Sequence, residues 1–295
     1  ASYVPSDGTV AVDSSMDYGV LYTGIEGLSL YGALGENNNQ PTTGITGKAD
    51  LSMIGAIIKL RKNTYPPIKI KGSGNAIPLT FKIIIPSAQI KSAIMLSALN
   101  TNGTVKIKEF KSTRDHTENM LKSMGYNIKV KENIKHRYIE MKNDKELKTI
   151  NYKIPGDPSS AAFFITAACL KPGSKLIVKN ILLNKTRIGF IKTLKSMGGN
   201  IKLIKKKKTH NELIADLKVE QLNFLKSTTL KSSEVPLQID EIPILSIAAS
   251  FANGLTIFKG LRELTVKESN RLLLINENLK KIGVKSIIKK YDLYI

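Results

Sequence analysis

The stretch LKSMGYNIKV at 121–130 returns as LKSMGGNIKL at 194–203. Each copy reads as a helix end, a glycine stop and a following strand, and the likeness extends outward in constant order. Eleven residues before the two glycines, Gly125 and Gly198, stand Arg114 and Arg187. Ahead of each arginine lies an apolar β-type run, KIKEF at 106–110 and KLIVKNILL at 175–183. Ahead of that comes a turn pair, Asn102-Gly103 or Pro172-Gly173, and then a small-residue apolar stretch, SAIMLSAL or SAAFFITAACL. A third copy runs from IPILSIAASFA through Asn253-Gly254, LTIFKG and VKESNRLL to LKKIG at 279–283, with Arg271 twelve residues before Gly283. The tail of a fourth shows at 53–60 as MIGAIIKL. The predicted unit is helix, turn, strand, Arg-bearing loop, helix, glycine stop, strand, repeated along one chain.

The length, 295 residues, suits about two domains. No run of about twenty apolar residues marks a membrane span, and no secretory signal is visible in a chain that starts with Ala. The lone Cys169 excludes an intrachain disulfide, suits a reducing compartment, and sits in AACL as a small core residue. The net charge of +21 raises nucleic-acid binding as a possibility. Against it, the lysines are spread through every segment, KKKK at 205–208 reads as a solvated loop, and there is no Trp for base stacking. A diffuse positive field also suits small polyanionic substrates. Residues 1–50 differ from the rest: they carry Lys48 against six acidic residues and are rich in Gly, Asn and Thr.

The repeat places its arginines near helix N-termini. Those ends present free N–H groups and a partial positive charge, to which a guanidinium adds a planar fork for carboxylate or phosphate. Three in register point to copies facing a common anionic site, although duplication alone also keeps them. In the first copy a Ser, Thr or Asp is expected to cap the helix, and in the second Thr186. Ser87 and Gln89 in PSAQIKSAIML lie where a ligand oxygen can meet a helix start, with capping as the alternative for Ser87. Asp240 and Glu241, before another apolar helix, read as caps or, for Asp240, a general base.

Together PSAQIKSAIMLSAL, STRDHTENMLKSMG, IPGDPSSAAFF, LQIDEIPILSIAA and LTVKESNRL, with YPPIKIKG at 65–72, resemble the 5-enolpyruvylshikimate-3-phosphate synthase family in the family's order, over about 53–295. Ser-Ala-Gln and Arg-Asp-His-Thr-Glu resemble its glyphosate-tolerant bacterial class. The resemblance implies an α/β fold of two similar domains, built of βαβαββ-type units with helices inward and sheets outward. It puts residues 1–52 outside the match, the rear of a first, shikimate-phosphate-side domain at 53–152, and the front of a second domain at 153–295.

The resemblance also implies a reaction: enolpyruvyl transfer from phosphoenolpyruvate to the 5-hydroxyl of shikimate 3-phosphate, in chorismate biosynthesis, by a cytoplasmic monomer with no metal or organic cofactor. Carried over by motif, Ser87, Ala88, Gln89 and Arg114 hold shikimate 3-phosphate, with Asp240 and Lys267 contributing. Asp240 accepts the hydroxyl proton, Lys267 and Glu268 serve proton transfer, and Gln89 and Arg271 meet phosphoenolpyruvate. The related UDP-N-acetylglucosamine enolpyruvyl transferases are an alternative, but they usually use a loop cysteine, and Cys169 lies in an apolar helix stretch. Asn270 stands where the family has Asp. The family's GSKSxSxR, Asn-Ala/Ser-Gly-Thr and DHR stretches are not found. The resemblance therefore covers an internal part of the family's length, and the chain as it stands is expected not to complete the reaction.

Overall fold

The structure, a computed structural model, describes residues 57–61, 65–71, 77–83, 87–110, 112–133, 136–265 and 269–295. The expectation for residues 1–52 lies outside them. The chain divides between Ile150 and Asn151 into two compact units, each with its own apolar core.

In the first unit, β1 (Ile57–Arg61) pairs antiparallel with β2 (Tyr65–Lys71). A complete βαβαββ copy follows: β3 (Thr80–Ile83), α1 (Ala88–Ala98), β4 (Thr104–Glu109), α2 (His116–Ser123), β5 (Asn127–Glu132) and β6 (Arg137–Lys142). Its sheet has the order β3-β4-β6-β5, with β3 and β4 parallel and the other pairs antiparallel. The register explains the Lys–Ile alternation. Ile107 lies opposite Phe81 and Ile139, and Val105 opposite Met141, so these apolar residues form one buried face. Lys82, Lys106, Lys129 and Lys142 point the other way into solvent.

The second unit contains two further copies. In the first of these, the leading strand shrinks to one parallel bridge between Gly156 and Ile181. Then come α3 (Pro158–Leu170), β7 (Lys175–Leu182), α4 (Gly189–Ser196), β8 (Asn200–Thr209) and β9 (Glu212–Glu220), with sheet order β7-β9-β8. The last copy is β10 (Thr229–Leu230), α5 (Ile242–Ser250), β11 (Ile257–Phe258), α6 (Arg271–Lys281), β12 (Ile287–Lys289) and β13 (Asp292–Tyr294). Its order, β10-β11-β13-β12, repeats that of the first sheet, with β10 and β11 parallel. Helices α3 to α6 bury Ile165, Leu194, Leu245 and Leu272 in one core with Leu217 and Leu293 of the sheets. The KKKK run is exposed as expected, but it forms the far part of β8 rather than a loop.

The repeated LKSMG, with LKKIG in the third copy, is one helix-ending device used three times. Gly125, Gly198 and Gly283 have φ of 86°, 96° and 84°. The amide after each glycine donates to the carbonyl of Leu121, Leu194 or Leu279, and the glycine amide to Lys122, Lys195 or Lys280. This is the Schellman pattern, which satisfies two orphan helix carbonyls and needs a left-handed residue. Leu supplies the buried knob of each last turn and Lys the favourable charge near the helix C-terminus. What the sequence did not display is the strand ahead of each first helix and the hairpin partner that closes each sheet.

Candidate active site

The site residues read from the sequence sit at helix starts. Ser87 caps α1: its Oγ accepts from the Ile90 N–H at 3.3 Å. Ala88 and Gln89 form the first turn, Gln89 exposed. Arg114 is partly buried in the loop between β4 and α2, two residues before α2 begins. Asp115 stands at the N-cap of α2 without a side-chain cap bond, and Thr186 does not cap α4. The α4 N-cap is Ile188, while the Thr186 hydroxyl donates to Asn184 Oδ1 at 2.6 Å.

The loop carrying Arg114 is tied to α1 by a charge cluster that the sequence reading missed. Lys91, wholly buried on α1, places Nζ 2.9 Å from Glu118 Oε1 and 3.3 Å from Glu109 Oε2. The shorter contact is off the line of a hydrogen bond and acts as a charge pair. Lys91 Nζ also donates to the Thr113 carbonyl at 3.4 Å, and the Thr113 hydroxyl donates to Glu109 Oε1 at 2.6 Å. Arg137 Nη2 lies 3.5 Å from Glu118 and 3.8 Å from Asp115. The Ser92 and Thr117 hydroxyls meet at 2.7 Å, joining the first halves of α1 and α2. A signal was present in the sequence. Glu109 shares the inward alternation of Val105 and Ile107, and Arg137 that of Ile139 and Met141, so both charges fall on apolar faces.

In the second unit the starts of four helices are linked. Asp157 caps α3 by accepting from the Ser160 N–H at 2.7 Å. Arg187 donates to Asp157 Oδ1 at 2.8 Å and to Ser159 Oγ at 2.7 Å, joining the start of α4 to that of α3. Arg187 is therefore engaged inside its own unit by two hydrogen bonds. Burial alone would raise the Asp157 carboxyl, but the Ser160 amide and hydroxyl and the Arg187 guanidinium outweigh it and hold the group below its usual value. Ser159 in turn donates to Glu241. Glu241 occupies the N-cap position of α5 without a side-chain cap bond, so its carboxylate serves this link instead. Asp240 lies beside it in a 3-10 turn, Ile239–Glu241, and Arg271 Nη1 at the start of α6 approaches Asp240 Oδ1 at 3.5 Å. Both side chains are about one-third exposed or less, at 27% and 30%.

Asn270 caps α6, its Oδ1 accepting from the Leu273 N–H at 3.1 Å. Asn and Asp are near-equivalent caps, so the departure from the family's Asp preserves the helix start. Lys267 and Glu268 lie outside the described residues, between the 3-10 turn Leu261–Thr265 and α6. The structure thus brings Asp240 and Arg271 together, and Ser87, Gln89 and Arg114 onto neighbouring elements of the first unit. Cys169 is buried in α3, where burial pushes its thiol up to about 11. Among the described residues no helix is long and apolar enough to cross a membrane.

Residues 48–293 match the sequence model of EPSP synthase (3-phosphoshikimate 1-carboxyvinyltransferase). The chain is 44% identical over 242 residues to the 3-phosphoshikimate 1-carboxyvinyltransferase of Zymomonas mobilis, covering 82% of this chain and 53% of that protein. It spans about half the length of the curated relatives it matches. A solved EPSP synthase from Acinetobacter baumannii superposes with a TM-score of 0.75 at 34% identity, over 84% of this chain and 55% of that one. The enolpyruvyl transferase NikO from Streptomyces tendae shares the fold, with a TM-score of 0.59 at 12% identity over 84% of this chain and 56% of that one. The repeated βαβαββ units, the motif order and these likenesses agree, and the chain belongs to the EPSP synthase family of transferases.

Proposed function

We propose that the chain carries part of a site for enolpyruvyl transfer to shikimate 3-phosphate, with ligands drawn from helix starts. In this reading Ser87, Ala88, Gln89 and Arg114 hold shikimate 3-phosphate. Arg271, with Gln89, binds phosphoenolpyruvate. Asp240 takes the proton of the 5-hydroxyl as its oxygen adds to C2 of phosphoenolpyruvate. Lys267, which also contacts shikimate 3-phosphate, and Glu268 move the proton that C3 gains. C3 then returns a proton to one of these two groups as the C2–O bond to phosphate breaks, so phosphate leaves and the C2–C3 double bond reforms. The reaction runs in the cytoplasm, by a monomer that needs no nucleic acid.

The observation that carries the reading is the Asp240–Arg271 contact. It sets a carboxylate able to act as a base beside a cation able to hold an anionic substrate. A 3.5 Å contact between partly exposed groups is weak enough for a ligand to displace. The UDP-N-acetylglucosamine alternative asks for a loop cysteine, whereas Cys169 is buried within a helix. Phosphorus NMR of the two substrates tests the assignment. Both resonances broaden with the wild-type chain, Arg114→Ala removes the effect on shikimate 3-phosphate, and Arg271→Ala removes it on phosphoenolpyruvate. Equal broadening with both variants rejects these ligand roles.

A further inference from the structure

A lysine with no exposed surface, set in a helix that buries Ala93, Ile94, Met95 and Ala98, needs an account beyond stability. Replacing a buried ion pair with apolar groups is often neutral or stabilising, so such a pair is weak evidence of a stability role. What Lys91 touches is more telling. Its Nζ is charge-paired with Glu109 and Glu118 and holds the Thr113 carbonyl at 3.4 Å. Glu109 holds the same residue by its hydroxyl at 2.6 Å. On the other side of Arg114, Asp115 lies 3.8 Å from Arg137, itself 3.5 Å from Glu118. Both chain neighbours of Arg114 are thus fastened to one buried cluster. The acids of that cluster come from β4 and α2, its lysine from α1 and its arginine from β6.

We propose that Lys91 is a positioning residue: it clamps the loop at Thr113 to helix α1 and so fixes where Arg114 meets its ligand relative to Ser87 and Gln89 on that same helix. The inference rests on the reading of Ser87, Gln89 and Arg114 as shikimate 3-phosphate ligands, and adds a residue that touches no substrate. The geometric demand is physical. Binding groups must be held in place before the ligand arrives, and a small misplacement made away from the chemistry can cost a hundredfold. Lys91 is suited to this because one cation satisfies an acid from β4, an acid from α2 and a loop carbonyl at once. A methionine of similar length fills the space but holds none of them.

The test compares wild type with Lys91→Met and with Lys91→Met/Glu109→Gln. The second variant removes one charge of each sign, so it retains the fold if uncompensated charge alone unfolds the first. Amide hydrogen exchange is read at 112–116 and at 127–142, alongside calorimetric titration with shikimate 3-phosphate. The expected result is exchange at least tenfold faster at 112–116, unchanged exchange at 127–142, and affinity at least tenfold weaker. A residue with only a structural role would instead speed exchange evenly across the unit. That outcome overturns the proposal, as does wild-type affinity in a variant whose loop exchanges faster, or an unchanged loop. If the wild-type chain itself does not bind shikimate 3-phosphate, the functional reading fails, and exchange alone then decides the clamp: a rise confined to 112–116 supports it and any other pattern rejects it.

Discussion

Arg271 Nη1 lies 3.5 Å from Asp240 Oδ1, joining the first residue of α6 to the 3-10 turn that precedes α5. The pair is partly exposed, so it adds little to stability, roughly 0–1 kcal/mol. Arg271→Ala should leave the denaturation midpoint nearly unchanged while weakening phosphoenolpyruvate binding. Arg271→Lys should restore only part of it, because an ammonium lacks the planar fork. Calorimetric titration checks both, and full rescue by Lys would reduce Arg271 to a point charge.

Asp157 sets a pH dependence. Its carboxyl is held below the usual value in the folded chain, so its contribution is present above the unfolded pKa of about 3.9 and is lost as pH falls through the folded value. Wild type should therefore lose stability on acidification below about pH 4 more steeply than Asp157→Asn, whose amide still caps α3. The group is partly exposed, at 43%, so the difference should be modest. Urea midpoints from pH 3 to 6 provide the comparison, and parallel curves would show that the Arg187–Asp157 link carries no net stability.

Cys169 should be inert in the native chain. With its thiol pushed up to about 11 and no exposed surface to speak of, almost no thiolate exists at pH 8. Iodoacetamide should label it only after denaturant is added. Rapid native labelling would mean that α3 opens readily.

The glycine stops give a matched pair of substitutions. A Cβ at Gly125 would meet nothing closer than 3.8 Å and at Gly198 nothing closer than 3.9 Å, so space is not the constraint. The left-handed backbone is, at roughly 1–2 kcal/mol for an L-residue. Gly125→Ala and Gly198→Ala should lower stability by similar amounts within that range, read from urea denaturation. A neutral result at either would mean the helix end relaxes into another termination.

These same glycines made the fold legible. A Schellman stop imposes Gly at one position and favours Leu and Lys at fixed distances before it, so three copies left a visible trace in the letters. Strands leave a weaker one. β10, β11 and the bridge at Gly156 are too short for a period of two to be seen. The candidate site was legible where an arginine recurs near a helix start, as for Arg114 and Arg271, and at Asp240, an ordinary capping type, only through the motif around it. It was not legible at Lys91 and Glu118, and at Glu109 only as a charge on an apolar alternation, because Lys91 meets its partners across 18 to 27 residues of chain. Nor did the letters separate Arg187, bound to Asp157, from the two arginines assigned to substrates.

The most direct measurement is phosphate release from phosphoenolpyruvate by a chimaera in which this chain is extended at both ends to its relatives' full length. The account predicts release that requires shikimate 3-phosphate, does not occur with UDP-N-acetylglucosamine, and falls by roughly 10²–10⁴ in Asp240→Asn through loss of a general base. Release that is unchanged in Asp240→Asn, or that proceeds with UDP-N-acetylglucosamine instead, would contradict it.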